Sequence, residues 1–141
     1  MSLLDALRLQ RLAHALHEAH VPVLPHALFS LGRMLHKAWL PPSCVIEEGA
    51  TLGYGGNGVV VHPGARVARG SMLCQGVVLD GPVVVEEDVL VGAGAVVVGA
   101  VRLGRGSQVG ANALVLEDVP AGTKVAGIPA RPVVSNTPVV K

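Results

Sequence analysis

A mainly β chain wound as a parallel β-helix, with a pair of helices in front of it, is the fold this sequence predicts. Three observations carry the prediction. Every sixth residue from Val61 onward is aliphatic: Val61, Val67, Leu73, Leu79, Val85, Val91, Val97, Leu103, Val109 and Val115. Two places before each stands a small or β-branched residue: Val59, Ala65, Ser71, Val77, Val83, Val89, Ala95, Val101, Ser107 and Ala113. A strand alternates with period two and a helix with period 3.6, so neither keeps one residue class on a strict six. A six-residue internal period marks short strands joined by tight turns, three of which close a triangular coil of about 18 residues. Composition agrees, since 50% of residues are hydrophobic and only 2% aromatic, which suits a narrow core of Val, Leu and Ala.

Taken in order, residues 2 to about 19 read as an amphipathic helix. Leu4, Leu7, Leu12 and Leu16 form its apolar stripe, Asp5, Arg8, Arg11 and Glu18 lie off it, and Ser2 is the expected N-cap. Pro22 ends this helix. Pro25 suits the first turn of a second one reaching about Leu40, striped by Leu24, Leu28, Leu31, Leu35 and Trp39 and stopped by Pro41-Pro42. Such a hairpin would cover the open end of the prism or pack on a neighbouring subunit. His14, His17 and His20 drift around the first helix instead of converging as a metal-binding i, i+4 pair would, so they and His26 and His36 read as solvent-facing.

The coils start with a break. Ile46 and Leu52 are six apart, with Cys44 and Ala50 as their small partners, but Leu52 to Val61 is nine. Three extra residues are inserted within Tyr54-Gly55-Gly56-Asn57-Gly58. Twelve inward positions in threes give about four coils over residues 44–116. After Leu116, Glu117-Asp118-Val119-Pro120-Ala121-Gly122 departs from the hexads. The expected division is a helical segment at 1–42, the β-helix with its closing segment at 43–132, and a loose C-terminal tail at 133–141.

The formal net charge is +1 with no basic run, which favours neither nucleic acid nor an anionic membrane. Cys44 and Cys74 occupy repeat positions without metal-ligand spacing and read as reduced packing residues of a cytoplasmic protein. Charged residues inside the first apolar stretch argue against a signal peptide. The longest uncharged apolar run, residues 89–101, is shorter than the roughly 18 residues of a membrane span.

The hexads, with Val91-Gly92-Ala93-Gly94-Ala95, Val109-Gly110-Ala111-Asn112-Ala113, Asp118-Val119-Pro120-Ala121-Gly122 and Ala126-Gly127-Ile128-Pro129-Ala130-Arg131, resemble the left-handed β-helix acyltransferases. Within these, the chain is similar to the serine acetyltransferase group and its relatives in polysaccharide biosynthesis, over residues 22–132. The resemblance implies a homotrimer with active sites between prisms and acetyl-CoA as co-substrate, without a metal. The thioester region would pass near Gly81, Ala93 and Ala111, with Ala126, Gly127, Ile128, Pro129, Ala130 and Arg131 toward the nucleotide end.

Acetyl transfer from a thioester to an alcohol needs a base for the hydroxyl proton. A neutral imidazole serves near pH 7, with an unperturbed pKa of about 6.5. His62 is the one histidine in the coils, placed just after inward-facing Val61 and so at a corner facing out. Serine acetyltransferases carry a catalytic histidine where this chain has Tyr54, and their second His-Pro loop is reduced here to Asp80-Gly81-Pro82. The polysaccharide-type relatives, which resemble this chain in Gly53-Tyr54-Gly55-Gly56 and Val61-His62, fit better. A phenol with a pKa of about 10 is a poor base but a usable donor. The implied function is acetyl-CoA-dependent O-acetylation of a sugar or serine-like hydroxyl, with His62 as base and Tyr54 as a hydrogen-bond donor that orients acceptor or base. The alternative is a catalytically silent scaffold or a coenzyme-A-binding pseudoenzyme. A zinc lyase on the same fold needs three converging histidines, and the coils hold one.

Overall fold

The computed structural model describes residues 5–133 and winds them into a three-faced prism behind a helical hairpin. The first face stacks β1 (Val45–Ile46), β4 (Arg66–Val67), β7 (Val84–Val85) and β10 (Arg102–Leu103). The second stacks β2 (Thr51–Leu52), β5 (Met72–Leu73), β8 (Leu90–Val91), β11 (Gln108–Val109) and β13 (Lys124–Ala126), and antiparallel β14 (Arg131–Pro132) closes it. The third stacks β3 (Val60–Val61), β6 (Val78–Asp80), β9 (Val96–Val98) and β12 (Leu114–Val115). The other pairings are parallel, so the fold is a parallel β-helix of about four coils.

All ten six-spaced aliphatic residues and all ten of their small partners are buried. The sequence period therefore reads the inward face correctly. The partners are small because the wall bends there: Ser71 Oγ donates to Glu86 O at 2.6 Å and accepts from Val89 N at 3.0 Å, tying its bend to the next coil. Burial also pushes the Cys44 thiol up to about pKa 12, leaving it a packing group, and both cysteines are free.

The prism is longer at each end than the sequence predicts. Trp39 N donates to Val59 O at 2.7 Å and Val61 N donates to Trp39 O at 2.8 Å, so residues 38–40 form a rung above β3. Ala38 and Leu40, both buried, stand six before Cys44 and Ile46 and continue the repeat upstream of residue 43. The second helix, α2 (Leu24–His36), therefore stops short of Leu40, ended by Lys37 in the left-handed conformation at φ 52°. Downstream, Val119 and Val125 are buried six residues apart, with Val119 bridged to Leu103. Val119 stands only four positions after Val115, so one corner is two residues short and the register resumes with a shifted phase.

The helical stripes are corrected. In α1 (Ala6–Glu18), the buried face is Ala6, Leu9, Gln10 and Ala13; Leu12 is exposed, and Leu7 and Leu16 are half-buried. Asp5 is the N-cap, accepting from Arg8 N at 3.0 Å, while Ser2 and Leu4 lie outside the described residues. The reason is what α1 covers. The first coil presents carbonyls with no coil above them, and the helix answers with small residues for close approach and with donors. Gln10 Nε2 donates to Cys44 O at 2.8 Å; Arg11 reaches Glu47 O at 2.8 Å, Ala50 O at 3.3 Å and Ile46 O at 3.4 Å. In α2, Leu24, Leu35 and, beyond its end, Trp39 are exposed, because the helix packs on α1 along one side only, with Gly32 against Leu9. Trp39 meets Phe29 edge-on at 5.0 Å, with the Arg33 guanidinium 5.2 Å from its ring. His14 is half-buried and donates from Nδ1 to Pro42 O at 2.8 Å, correcting its solvent-facing expectation. Half-buried His36 is corrected likewise, while His17, His20 and His26 are exposed.

Arg11→Ala removes three contacts to carbonyls at the open end of the prism, of which Glu47 O alone, among the described residues, keeps a backbone bond, from Ala50 N, and we expect it to lower unfolding stability by about 1–3 kcal/mol. A urea midpoint unchanged from wild type would remove Arg11 from the capping role.

Candidate active site

The insertion after Leu52 makes the largest departure from the prism wall. Gly53 lies so close to the next coil that an added Cβ would sit 3.1 Å from Cys74 Cα. Tyr54 then adopts φ 49°, ψ 43°, a left-handed conformation costly for a residue with a Cβ, and its side chain is 84% exposed. The stem of the loop is tied down: Gly58 N donates to Lys37 O at 3.1 Å and Gly76 N to Asn57 O at 3.0 Å. A fixed backbone thus presents an exposed phenol.

Below the insertion runs the corner between the second and third faces. The register pairs Val91 with Val109 and Val109 with Val125, so the next residues stack as Gly92, Gly110, Ala126 and then Ala93, Ala111, Gly127. A Cβ on Gly92 would lie 2.7 Å from Ala111 N, so the coils meet backbone to backbone here. Ala93 is half-buried and Ala111 exposed, which leaves a smooth strip. The closing segment ends it: Leu114 N donates to Gly127 O at 3.0 Å, Ala130 N to Leu114 O at 2.8 Å, and Arg131 reaches Glu117 at 3.4 Å. Residues 126–131 therefore also cover the last edge of the third face, with Ile128 exposed and Pro129 in the turn.

His62 stands at the other corner of that face, between the third and first faces. Its side chain is exposed, and its Nδ1 accepts from Gly64 N at 3.0 Å. A neutral ring held this way carries its proton on Nε2. Accepting a proton at Nε2 requires the opposite tautomer, and therefore release of the Gly64 contact. Gly81 lies one coil on at the same corner, buried, at φ 138°; the close approach it permits is to the backbone of Gly99, 2.8 Å from where a Cβ would be.

The expected site residues thus divide between two corners. Tyr54, Ala93, Ala111 and residues 126–131 flank one side of the third face; His62 and Gly81 flank the other. From Gly94 to Gly99 the face spans five residues, roughly 16 Å at strand rise. Sequence reading missed Asp80, in β6, although its position 18 residues, one full coil, after His62 signals that the two share a column. A groove of about 680 Å³ opens beside the insertion, lined by Asp5, Arg8, Arg11, His36, Glu48 and Gly55 among others. Among the described residues, no group of three His, Cys, Asp or Glu side chains is placed to hold a metal, and no helix is long and apolar enough to cross a membrane.

Comparison with known proteins gives the class first. Residues 82–117 match the bacterial transferase hexapeptide family of six repeats. A serine acetyltransferase of Synechococcus elongatus is 35% identical over 135 residues, covering 90% of this chain and 55% of that protein. The Helicobacter pylori serine acetyltransferase is 32% identical over 141 residues, covering 94% of this chain and 82% of its own length. The crystal structure of a Brucella abortus serine acetyltransferase in complex with coenzyme A superposes with a TM-score of 0.88 at 29% identity, over 94% of this chain and 57% of that one. The chain belongs to the serine acetyltransferase family, whose left-handed hexapeptide β-helix it shares. It spans 55–65% of the length of several of the curated relatives it matches.

Proposed function

We propose that the protein transfers an acetyl group from acetyl-CoA to the hydroxyl of a serine-like or sugar acceptor. The observation that carries this reading is the strip of small residues, Gly127, Ala111 and Ala93, running up from the closing segment, with Gln75 in the same column between Ala93 and the exposed Tyr54. No side chain on that strip bars an extended coenzyme arm, and the relative with coenzyme A bound superposes closely on this chain. Ala126, Gly127, Ile128, Pro129, Ala130 and Arg131 would hold the nucleotide end, and Gly81 would shape the corner near the thioester.

In this reading the hydroxyl oxygen attacks the thioester carbonyl while His62 Nε2 takes its proton. A tetrahedral oxyanion forms, stabilised by a backbone N–H. As it collapses, the C–S bond breaks, and the imidazolium returns the proton to the departing thiolate, giving ester and free coenzyme thiol. Tyr54 O–H orients the acceptor, and the groove beside it offers carboxylate acceptors at Asp5 and Glu48 for a polyhydroxylated molecule. Residues 1–42, 43–132 and 133–141 remain the helical, catalytic and tail parts of the proposal, with the prism reaching back to residue 38; all of the tail except Val133 lies outside the described residues. A cytoplasmic setting suits the two free cysteines. Release of coenzyme thiol in the presence of serine and a panel of sugars tests the whole. No turnover with any acceptor would leave the silent scaffold, a reading motivated by Tyr54 at the place where the resemblance to serine acetyltransferases leads one to expect a histidine.

The two corners are too far apart to meet on one prism, so the reading requires a homotrimer in which one prism's His62 corner faces the next prism's Tyr54 corner. Exposed Val60 and Met72 on the walls would be covered in it. Sedimentation is expected to give three times the monomer mass of 14.4 kDa. A stable monomer at micromolar concentration would sink the shared site.

A further inference from the structure

We propose that Asp80 is the residue that positions His62 as a base. This rests on the role proposed for His62 above. The register pairs Val60 with Val78 and Val61 with Leu79, and His62 N donates to Leu79 O at 2.9 Å. The next pair along the ladder is His62 with Asp80. Val61 and Leu79 are fully buried, so alternation turns both His62 and Asp80 outward, and both are exposed. Adjacent rungs of a sheet lie about 4.8 Å apart, so the two side chains share one column within reach of each other, although the imidazole is turned to Gly64 here and makes no ion pair with the carboxylate.

No other titratable group faces His62 from the neighbouring coils. Trp39 bridges Val60, so the rung above sets Pro41 against His62. Below Asp80 come Val98, its partner, and then Leu116. The flanking corner residues, Pro63 and Gly64 on one coil and Gly81 and Pro82 on the next, carry no charge.

The tautomer gives Asp80 its task. With Gly64 N–H donating to Nδ1, the ring has no lone pair at Nε2 for the acceptor's proton. Once Nε2 accepts one, both ring nitrogens bear hydrogen, and Gly64 N–H would face another donor. A turn about Cβ–Cγ moves Nδ1–H from Gly64 toward the carboxylate on the next rung. Asp80 then accepts that hydrogen bond, leaves Nε2 free to take the proton, and stabilises the imidazolium that results.

The test replaces Asp80 with Val, the residue at the same place one coil on, so that the fold is kept; Asp80→Asn is the second variant. Ring ¹⁵N shifts of His62 report which nitrogen carries the proton, in the full-length protein and without substrate. The wild type is expected to show a substantial Nδ1–H population that Asp80→Val loses in favour of Nε2–H, with Asp80→Glu restoring it. Turnover is expected to fall about tenfold to a hundredfold in kcat with KM little changed. An Asp80→Val protein with wild-type ¹⁵N shifts overturns the proposal, whatever its activity. If the wild type turns over no acceptor, the ¹⁵N comparison still decides the Asp80–His62 pairing, and the proposed function alone fails.

Discussion

His62→Asn is expected to leave folding, assembly and coenzyme binding unchanged while lowering turnover by about 10²–10⁴, the usual contribution of a positioned base. Asparagine is the informative replacement because of the Gly64 contact. Its Oδ1 can accept from the N–H two residues on, as His62 Nδ1 does now at 3.0 Å, so the corner keeps its turn while losing the imidazole. His62→Ala should behave alike in activity, with a slightly weaker corner. Tyr54→Phe should cost less than either, since in the proposed reading the 84% exposed phenol only orients the acceptor. An enzyme killed by Tyr54→Phe that still turns over as His62→Asn would move the chemistry to the insertion and reduce His62 to a turn residue.

The prism was legible because its rule is local and repeated: each inward aliphatic residue and its small partner recur at six, whatever the tertiary context. Where the rule carried past its obvious limits, at Ala38 and Leu40, the aromatic Trp39 between them resembled the end of a helical stripe. The two-residue deletion before Val119 hid the last coil in the same way, by shifting phase without changing period. The helices were misread for a different reason. Leucine spacing predicts a helix seeking apolar cover, but α1 caps a sheet end, where unpaired carbonyls call for Gln10 and Arg11 and close approach calls for Ala6 and Ala13. The site was legible as residue types and not as an arrangement. That His62 and Tyr54 stand at different corners depends on which strand each precedes or follows. That His62 Nδ1 accepts a hydrogen bond in this structure depends on a backbone N–H two residues away.

The inward face itself can be tested by one of the largest stability effects available in the chain. Val97 is fully buried, paired to Leu79 on one side and Val115 on the other, both buried. Val97→Asp forfeits about 1.5–3 kcal/mol of apolar burial and places a carboxyl where no polar partner exists. The total is several kcal/mol, against a typical domain stability of about 5–15 kcal/mol. Burial would raise the pKa of the new carboxyl above its unfolded value of about 3.9. The unfolded chain would then ionise first, so the penalty should be smallest near pH 3 and grow as pH rises through and above 4. Val98→Asp, one residue on, should be far milder. Its side chain is half-buried on the outside of the wall, between Asp80 and Leu116, and adds only a like charge one rung from Asp80. Urea unfolding of the two variants at pH 7 and again at pH 3 separates them. Equal midpoints at pH 7 would mean that the side chain of residue 97 does not enter the prism, and that the six-residue register, from which every site position here is counted, is set on the wrong face.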